Sequence, residues 1–128
     1  MDRSVERDLV PALQEYRIGL LPYYPLASGL LTGKYRRGQR PPAGSRLAGR
    51  PEALSDAAFD VVEALEKYAD QRGISLLDVA IGGLAAQPAV CSVIAGATSR
   101  SQVEANVRAG AWAPSADDLA ELDRLTRT

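Results

Sequence analysis

The sequence predicts an α/β fold assembled from parallel β/α units, and three observations carry that expectation. Ile18 to Tyr24 (IGLLPYY) and Val90 to Ala95 (VCSVIA) are short apolar runs without polar alternation, the pattern of strands buried on both faces. The segments around them carry apolar residues at helical spacing. Ser, Gly and Pro stand where those helices would start and stop. The predicted order is helix, strand, long loop, two helices, strand, helix, helix.

Val5, Leu9, Leu13 and Tyr16 recur at helical spacing, so the chain opens on an amphipathic helix ending near Arg17. Pro11 lacks an N–H and is tolerated only in a first turn, which puts the helix start near Asp8 or Leu9. After the first strand, residues 25–54 form a long loop rich in Gly, Pro and Arg, with room for a helical turn near Ser28 to Lys34. Loops of that length in compact domains are often functional. Ser55 caps a helix whose inner face carries Phe59, Val62, Leu65 and Ala69, and Gly73 stops it. Ser75 and Asp78 have the spacing of a capping box for a helix to about Ala86, ended before Pro88. Ser99 and Gln102 repeat that spacing after the second strand, opening a helix to about Ala109. Ser115 and Asp118 open the last helix, with Leu119, Leu122 and Leu125 on one face. Two strands do not cover both edges of a sheet. An eight-stranded barrel of such units takes about 250 residues, and this chain has 128, so it reads as part of a larger architecture.

Composition narrows the chemistry. With 46% hydrophobic and 24% charged residues and a net charge of -1, the chain is ordinary for a globular domain and has no general pull toward nucleic acid or anionic membrane. No apolar run is long enough to span a bilayer, and MDRSVERDLV has no signal-peptide core. The single Cys91 cannot form an internal disulfide and lies in an apolar run, so a reducing cytoplasm and a core thiol are expected. There is no histidine, which excludes Ser-His-Asp and Cys-His catalysis and the usual zinc sites. No metal site and no catalytic residue is expected.

Three places invite a ligand. Gly96-Ala97-Thr98 leads from a strand into a helix opening at Ser99, where unpaired N–H groups and the dipole favour a phosphate, with Arg100 adding a cation. An ordinary capped turn explains the same pattern and is by itself the simpler reading. Tyr23 to Gly29 follows a buried strand, the end where parallel folds hold ligands; an aromatic there stacks on a planar ring or plugs the interior. Lys34, Arg36, Arg37, Arg40, Arg46 and Arg50 share one loop, either as a solvated surface or as an anion clamp. Gly29 to Tyr35 is not a Walker A motif, because the glycine spacing and the Ser or Thr after Lys34 are missing.

Together LLPYYPLASGLLTGKY, PPAGSR and SVIAGATSRSQVEANV resemble the seventh- and eighth-strand signatures of the aldo-keto reductases, in order and at the right spacing. The resemblance covers nearly the whole chain. It implies a partial (β/α)8 TIM barrel, the last two β/α units plus the C-terminal helix, with NADP (NADPH) extended across its C-terminal face. By resemblance, Tyr23 is the aromatic stacked on nicotinamide, and Tyr24, Pro25, Leu26, Ala27 and Ser28 are the loop around the pyrophosphate. Lys34 and Arg46 match basic residues that reach phosphates in some members. Gly96, Thr98, Ser99 and Arg100 match the adenosine 2'-phosphate pocket, with Gln102 and Asn106 lining it and the adenine. Tyr24 stands where many members have Ser, Ala105 where Glu is frequent, and Gln102 where other branches carry Arg.

The family's Asp, Tyr, Lys and His tetrad lies on earlier strands, and Met1-Asp2-Arg3 matches a point just after the sixth. Tyr23, Tyr24 and Tyr35 are not substitutes, since a catalytic tyrosine needs a neighbouring lysine to lower its pKa. The chain alone is therefore expected not to reduce carbonyls. Three readings follow: the cofactor-binding part of a reductase completed by a complementary N-terminal half, a non-catalytic nucleotide- or partner-binding module, and a non-functional truncated product. Open sheet edges would favour a partner or self-association.

Overall fold

The computed structural model describes residues 3–127, with five α-helices and three short 3-10 segments. A 3-10 turn at Ser4–Glu6 leads into α1 (Leu9–Glu15). Pro11 falls in the first turn of α1, where its missing N–H costs nothing. Arg17 closes this helix in the left-handed region, with Ile18 N–H on the Leu13 carbonyl at 2.8 Å and Arg17 N–H on the Gln14 carbonyl at 3.2 Å. Further 3-10 segments follow at Ala27–Thr32 and Pro51–Leu54.

Helix α2 (Asp56–Arg72) is capped by the Ser55 hydroxyl and ended by Gly73 at φ 66°. All four expected inner residues are buried, joined by Val61 and Tyr68. Helix α3 (Leu76–Ala85) and α5 (Ala116–Thr126) each begin with a complete capping box, from Ser75 with Asp78 and from Ser115 with Asp118. Helix α4 (Arg100–Ala109) is capped by Ser99, but its box is only half formed. The Gln102 carboxamide oxygen accepts from Thr98 N–H at 2.7 Å and Thr98 Oγ1 at 3.2 Å instead of from Ser99 N–H.

The expected strands are the main correction. The segments at 18–24 and 90–95 meet in one parallel bridge, Leu20 with Val90. Leu20 N–H donates to the Ala89 carbonyl at 2.7 Å, and Cys91 N–H donates to the Leu20 carbonyl at 3.1 Å. Pro22 has no N–H, and Tyr24 turns into the left-handed region at φ 55°, so the ladder cannot continue along the first segment. Gly19 allows the approach, since a Cβ there would stand 2.8 Å from Cys91 Sγ.

The core consequently lies among helices and loop. Leu30, Leu31, Tyr35 and Leu47 from residues 27–50 pack with Phe59, Val62, Leu65 and Tyr68 of α2, Leu76 and Val79 of α3, and Leu122 of α5. Gly82 and Gly83 let α3 approach Trp112 and Leu122 closely. Two further expectations fail. Cys91 is exposed, and Val5, Leu9 and Tyr16 of the first amphipathic face are exposed as well. Arg3 ties the start of the chain to α5, through Asp123 Oδ1 at 2.5 Å and Thr126 Oγ1 at 3.0 Å. Met1 and Asp2, part of the expected entry point, lie outside the described residues. No helix among the described residues is long and apolar enough to cross a membrane.

Candidate cofactor cleft

Tyr24 to Gly29 make a tight, strained turn. Tyr24, Ala27 and Ser28 have φ of 55°, 46° and 59°, and Gly29 follows at 94°. A left-handed non-glycine residue costs about 1–2 kcal/mol, and such clustered strain persists only where surrounding contacts impose it. Here Ala27 N–H bonds the Tyr24 carbonyl at 2.9 Å, Gly29 N–H the Leu26 carbonyl at 2.8 Å, and Thr32 Oγ1 the Gly29 carbonyl at 2.7 Å. Burial of Leu30 and Leu31 anchors the far end.

That turn forms one wall of a cleft of about 790 Å³, within the usual range for small-molecule sites. Tyr24, Pro25, Leu26 and Ser28 line it on this side. Gly96, Thr98, Gln102 and Asn106 face them from the turn before α4 and from α4 itself. Lys34 and Arg46 bring two cations to the same space. Segments some 70 residues apart thus meet around one cavity, at the end of a ten-residue helix.

Four expected residues stand apart. Tyr23 is 82% exposed, packed against the Tyr24 ring at 5.0 Å between centroids, and is not part of the lining. Ala27 faces the core instead. Ser99 spends its hydroxyl on Gln102 N–H and Ser101. Arg100 pairs with Glu104 at 2.7 Å on open surface. Thr32, Ser45, Leu77 and Ile94 join the lining without having been expected there. Ser45 belongs to the PPAGSR segment and was the most accessible of these from sequence; Leu77 is brought by α3, which no local pattern links to the cleft.

The basic loop divides its charges. Arg36 pairs with Glu66, and Arg37 engages Asp56, Asp60 and Glu63, all on α2. These partners hold the Arg37 guanidinium well above its ordinary pKa and the Glu63 carboxyl below its own. Lys34 and Arg46 are left for the cleft.

Tyr35 has a lysine beside it, with Lys34 Nζ 5.2 Å from its ring centroid. Burial pushes its phenol up, but Ser45, Leu47 N–H and the Lys34 charge outweigh this and leave it below its ordinary value. Tyr35 is nonetheless only 2% exposed, and its hydroxyl accepts from Leu47 N–H at 3.3 Å, so no substrate reaches it. Among the described residues no group of three or more His, Cys, Asp or Glu is arranged to hold a metal ion.

Comparison with known proteins agrees with this architecture. A family model described as the aldo/keto reductase family matches residues 1–127. A probable voltage-gated potassium channel subunit beta of Arabidopsis thaliana is 40% identical over 83% of this chain and 34% of its own length. L-glyceraldehyde 3-phosphate reductase of Escherichia coli K12 is 33% identical over 97% of this chain and 38% of its own. The structure of a glycerol dehydrogenase from Gluconobacter oxydans superimposes with a TM-score of 0.78 at 25% identity, over 97% of this chain and 38% of the other. The chain spans little more than a third of the length of these relatives.

Proposed function

Because the chain belongs to the aldo/keto reductase family, we propose that it forms the NADP(H)-binding part of a reductase that interconverts a carbonyl and an alcohol. The observation that carries this reading is the cleft, where the strained turn at Tyr24 to Ser28, two cations and the start of α4 converge. Its volume and donor set suit an extended dinucleotide. Lys34 and Arg46 supply charge for phosphates, Gly96, Thr98, Gln102 and Asn106 line the facing wall, and Tyr24 offers a flat ring. Thr98 enters with its N–H and hydroxyl already turned toward Gln102, so a 2'-phosphate there would compete with that side chain for them. When bound, the nicotinamide supplies the hydride, and the protein's part is to hold and orient it.

On this reading the proton needed at the carbonyl oxygen comes from a group that this chain does not supply. The chain has no histidine, and both tyrosines that follow a lysine in the sequence, Tyr35 and Tyr68, are buried. The names of the Escherichia coli and Gluconobacter relatives support carbonyl and alcohol chemistry as the reaction class.

A second reading, association with a partner, is favoured by one observation. Ile18, Leu21, Tyr23 and Ile94 are exposed on the two extended segments, an apolar surface that further parallel strands or another copy of the chain would cover.

Circular dichroism melts of the purified chain with and without NADPH test the first reading. Binding to the folded state alone must raise the midpoint, by about 2.7 kcal/mol of stability at one hundred times Kd. A melt indifferent to saturating NADPH removes the cofactor role.

A further inference from the structure

Residues 34–37 point in three directions in four positions. Lys34 lines the cleft, Tyr35 enters the core, and Arg36 and Arg37 turn to the outer face of α2. Arg37 is a hub. Its Nε and Nη2 reach the two Glu63 oxygens at 3.0 Å each, Nη2 reaches Asp60 at 2.6 Å and Nη1 reaches Asp56 at 3.0 Å. Its guanidinium also lies 5.7 Å from the Phe59 ring centre. Those carboxylates stand four and three residues apart on one helical stripe, so a single fork can hold all three. On the other side, the Tyr35 hydroxyl takes Leu47 N–H at 3.3 Å. Leu47 is buried, and Ser45 Oγ is sealed from solvent beside Tyr35 without reaching hydrogen-bond geometry. Arg46 therefore sits between two fixed neighbours.

We propose that Arg37 and Tyr35 form a positioning strut: α2 carboxylates hold Arg37, Arg37 and the core hold Tyr35, and Tyr35 sets Lys34 and Arg46 at the spacing a phosphate-bearing ligand needs. Neither strut residue lines the cleft. The strut deepens, and rests on, the reading of the cleft as a nucleotide site. Without it the loop between residues 33 and 50 is tied to α2 only through Arg36 with Glu66 and through core packing, and the two cleft cations lose their common orientation. Preset cations bind an anion without the cost of ordering long side chains on binding.

The test is Arg37→Gln, a change at a half-buried side chain over Phe59, alongside Tyr35→Phe. Each is titrated with NADPH and, by saturation-transfer NMR, with adenosine, which carries no phosphate. The strut predicts that Arg37→Gln weakens NADPH binding about tenfold, the loss of one oriented charge-assisted contact, with adenosine unchanged. Tyr35→Phe should show the same selectivity, and Arg37→Lys should recover part of the loss. Equal weakening of NADPH and adenosine, tracking a lower melting point, would mean a merely structural role and overturn the strut. Unchanged NADPH binding in both variants overturns it as well. Failure of the unaltered chain to bind NADPH overturns the cofactor reading and the strut with it, so the two failures are distinguished by the parent protein.

Discussion

The Tyr68 phenol donates to Asp118 Oδ1 at 2.7 Å, joining α2 to the capping box that starts α5. Arg72 Nε reaches the same oxygen at 2.9 Å, and the Arg72 guanidinium stacks over the Tyr68 ring at 3.7 Å. Asp118 Oδ2 meanwhile takes Ser115 N–H at 2.9 Å and the Ser115 hydroxyl at 2.8 Å. One carboxylate thus serves both the helix cap and the interhelical contact.

That arrangement predicts acid sensitivity. The Tyr68 hydroxyl above all, then Ser115 and Arg72, hold the Asp118 carboxyl far below the usual carboxylate range. A depressed folded-state pKa means the unfolded chain binds the proton first as pH falls. The stabilisation is complete above the unfolded value of about 4 and declines below it. Urea midpoints should fall as pH drops from 5 toward 2, and Asp118→Asn should lower the midpoint at pH 7 while flattening the acid slope. An unchanged slope in the variant would assign the acid sensitivity to other carboxylates, such as Asp123 beside Arg127 and Arg3.

Gly82→Ala should destabilise the protein by about 1–3 kcal/mol, the usual cost of overpacking. A Cβ at Gly82 would stand 2.6 Å from the Trp112 carbonyl oxygen and 3.2 Å from that of Ala109, both backbone atoms that cannot rotate away. Alanine's better helix propensity, worth about 1 kcal/mol, works in the opposite direction and is the outcome that equilibrium denaturation would reveal if α3 and the Trp112 turn were loosely packed.

Two helix ends should respond with opposite signs. Gly73 sits at φ 66° with nothing within 4 Å of where an added methyl would stand, so Gly73→Ala costs backbone strain alone, about 1 kcal/mol. Arg17 occupies the equivalent place after α1 at φ 54°, so Arg17→Gly should relieve a similar strain and raise α1 helicity. Helicity by circular dichroism and denaturant midpoints of both variants decide the matter; a loss for Arg17→Gly would contradict the cap geometry.

Lys34→Ala and Arg46→Ala should each weaken NADPH binding about tenfold, as removal of one charge-assisted phosphate contact does. Arg100→Ala should leave it nearly unchanged, since Arg100 faces solvent and Glu104. Isothermal titration of the three variants checks the division. A larger effect from Arg100 than from Lys34 would move the phosphate to the outer side of α4.

Helix ends are the most legible part of this sequence because caps are local. Ser75 with Asp78 and Ser115 with Asp118 need only three-residue spacing to form, and they do. The apolar runs at 18–24 and 90–95 have the composition of strands, yet a strand is a relation between segments, and only Leu20 and Val90 meet. Cys91 misleads for the same reason: apolar neighbours in sequence do not bury a thiol that nothing covers. In the cleft, motif residues are legible as two separate groups. Leu77 and Ile94 are not, because their arrival depends on how α3 and the second extended segment pack. The sorting of Arg37 to α2 and of Lys34 and Arg46 to the cleft is equally hidden, since one basic run offers no sign of which way each side chain turns.

The Leu20–Val90 bridge also bears on the order in which the chain assembles. Bringing together residues about 70 apart costs on the order of 4 kcal/mol in loop-closure entropy, while its two hydrogen bonds return only about 1 kcal/mol each. The bridge cannot nucleate folding. Helices α2 and α3, neighbours in sequence and joined through Phe59, Leu65 and Val79 of the core, must gather first. The extended segments are then late arrivals, docked onto a helical platform that already exists.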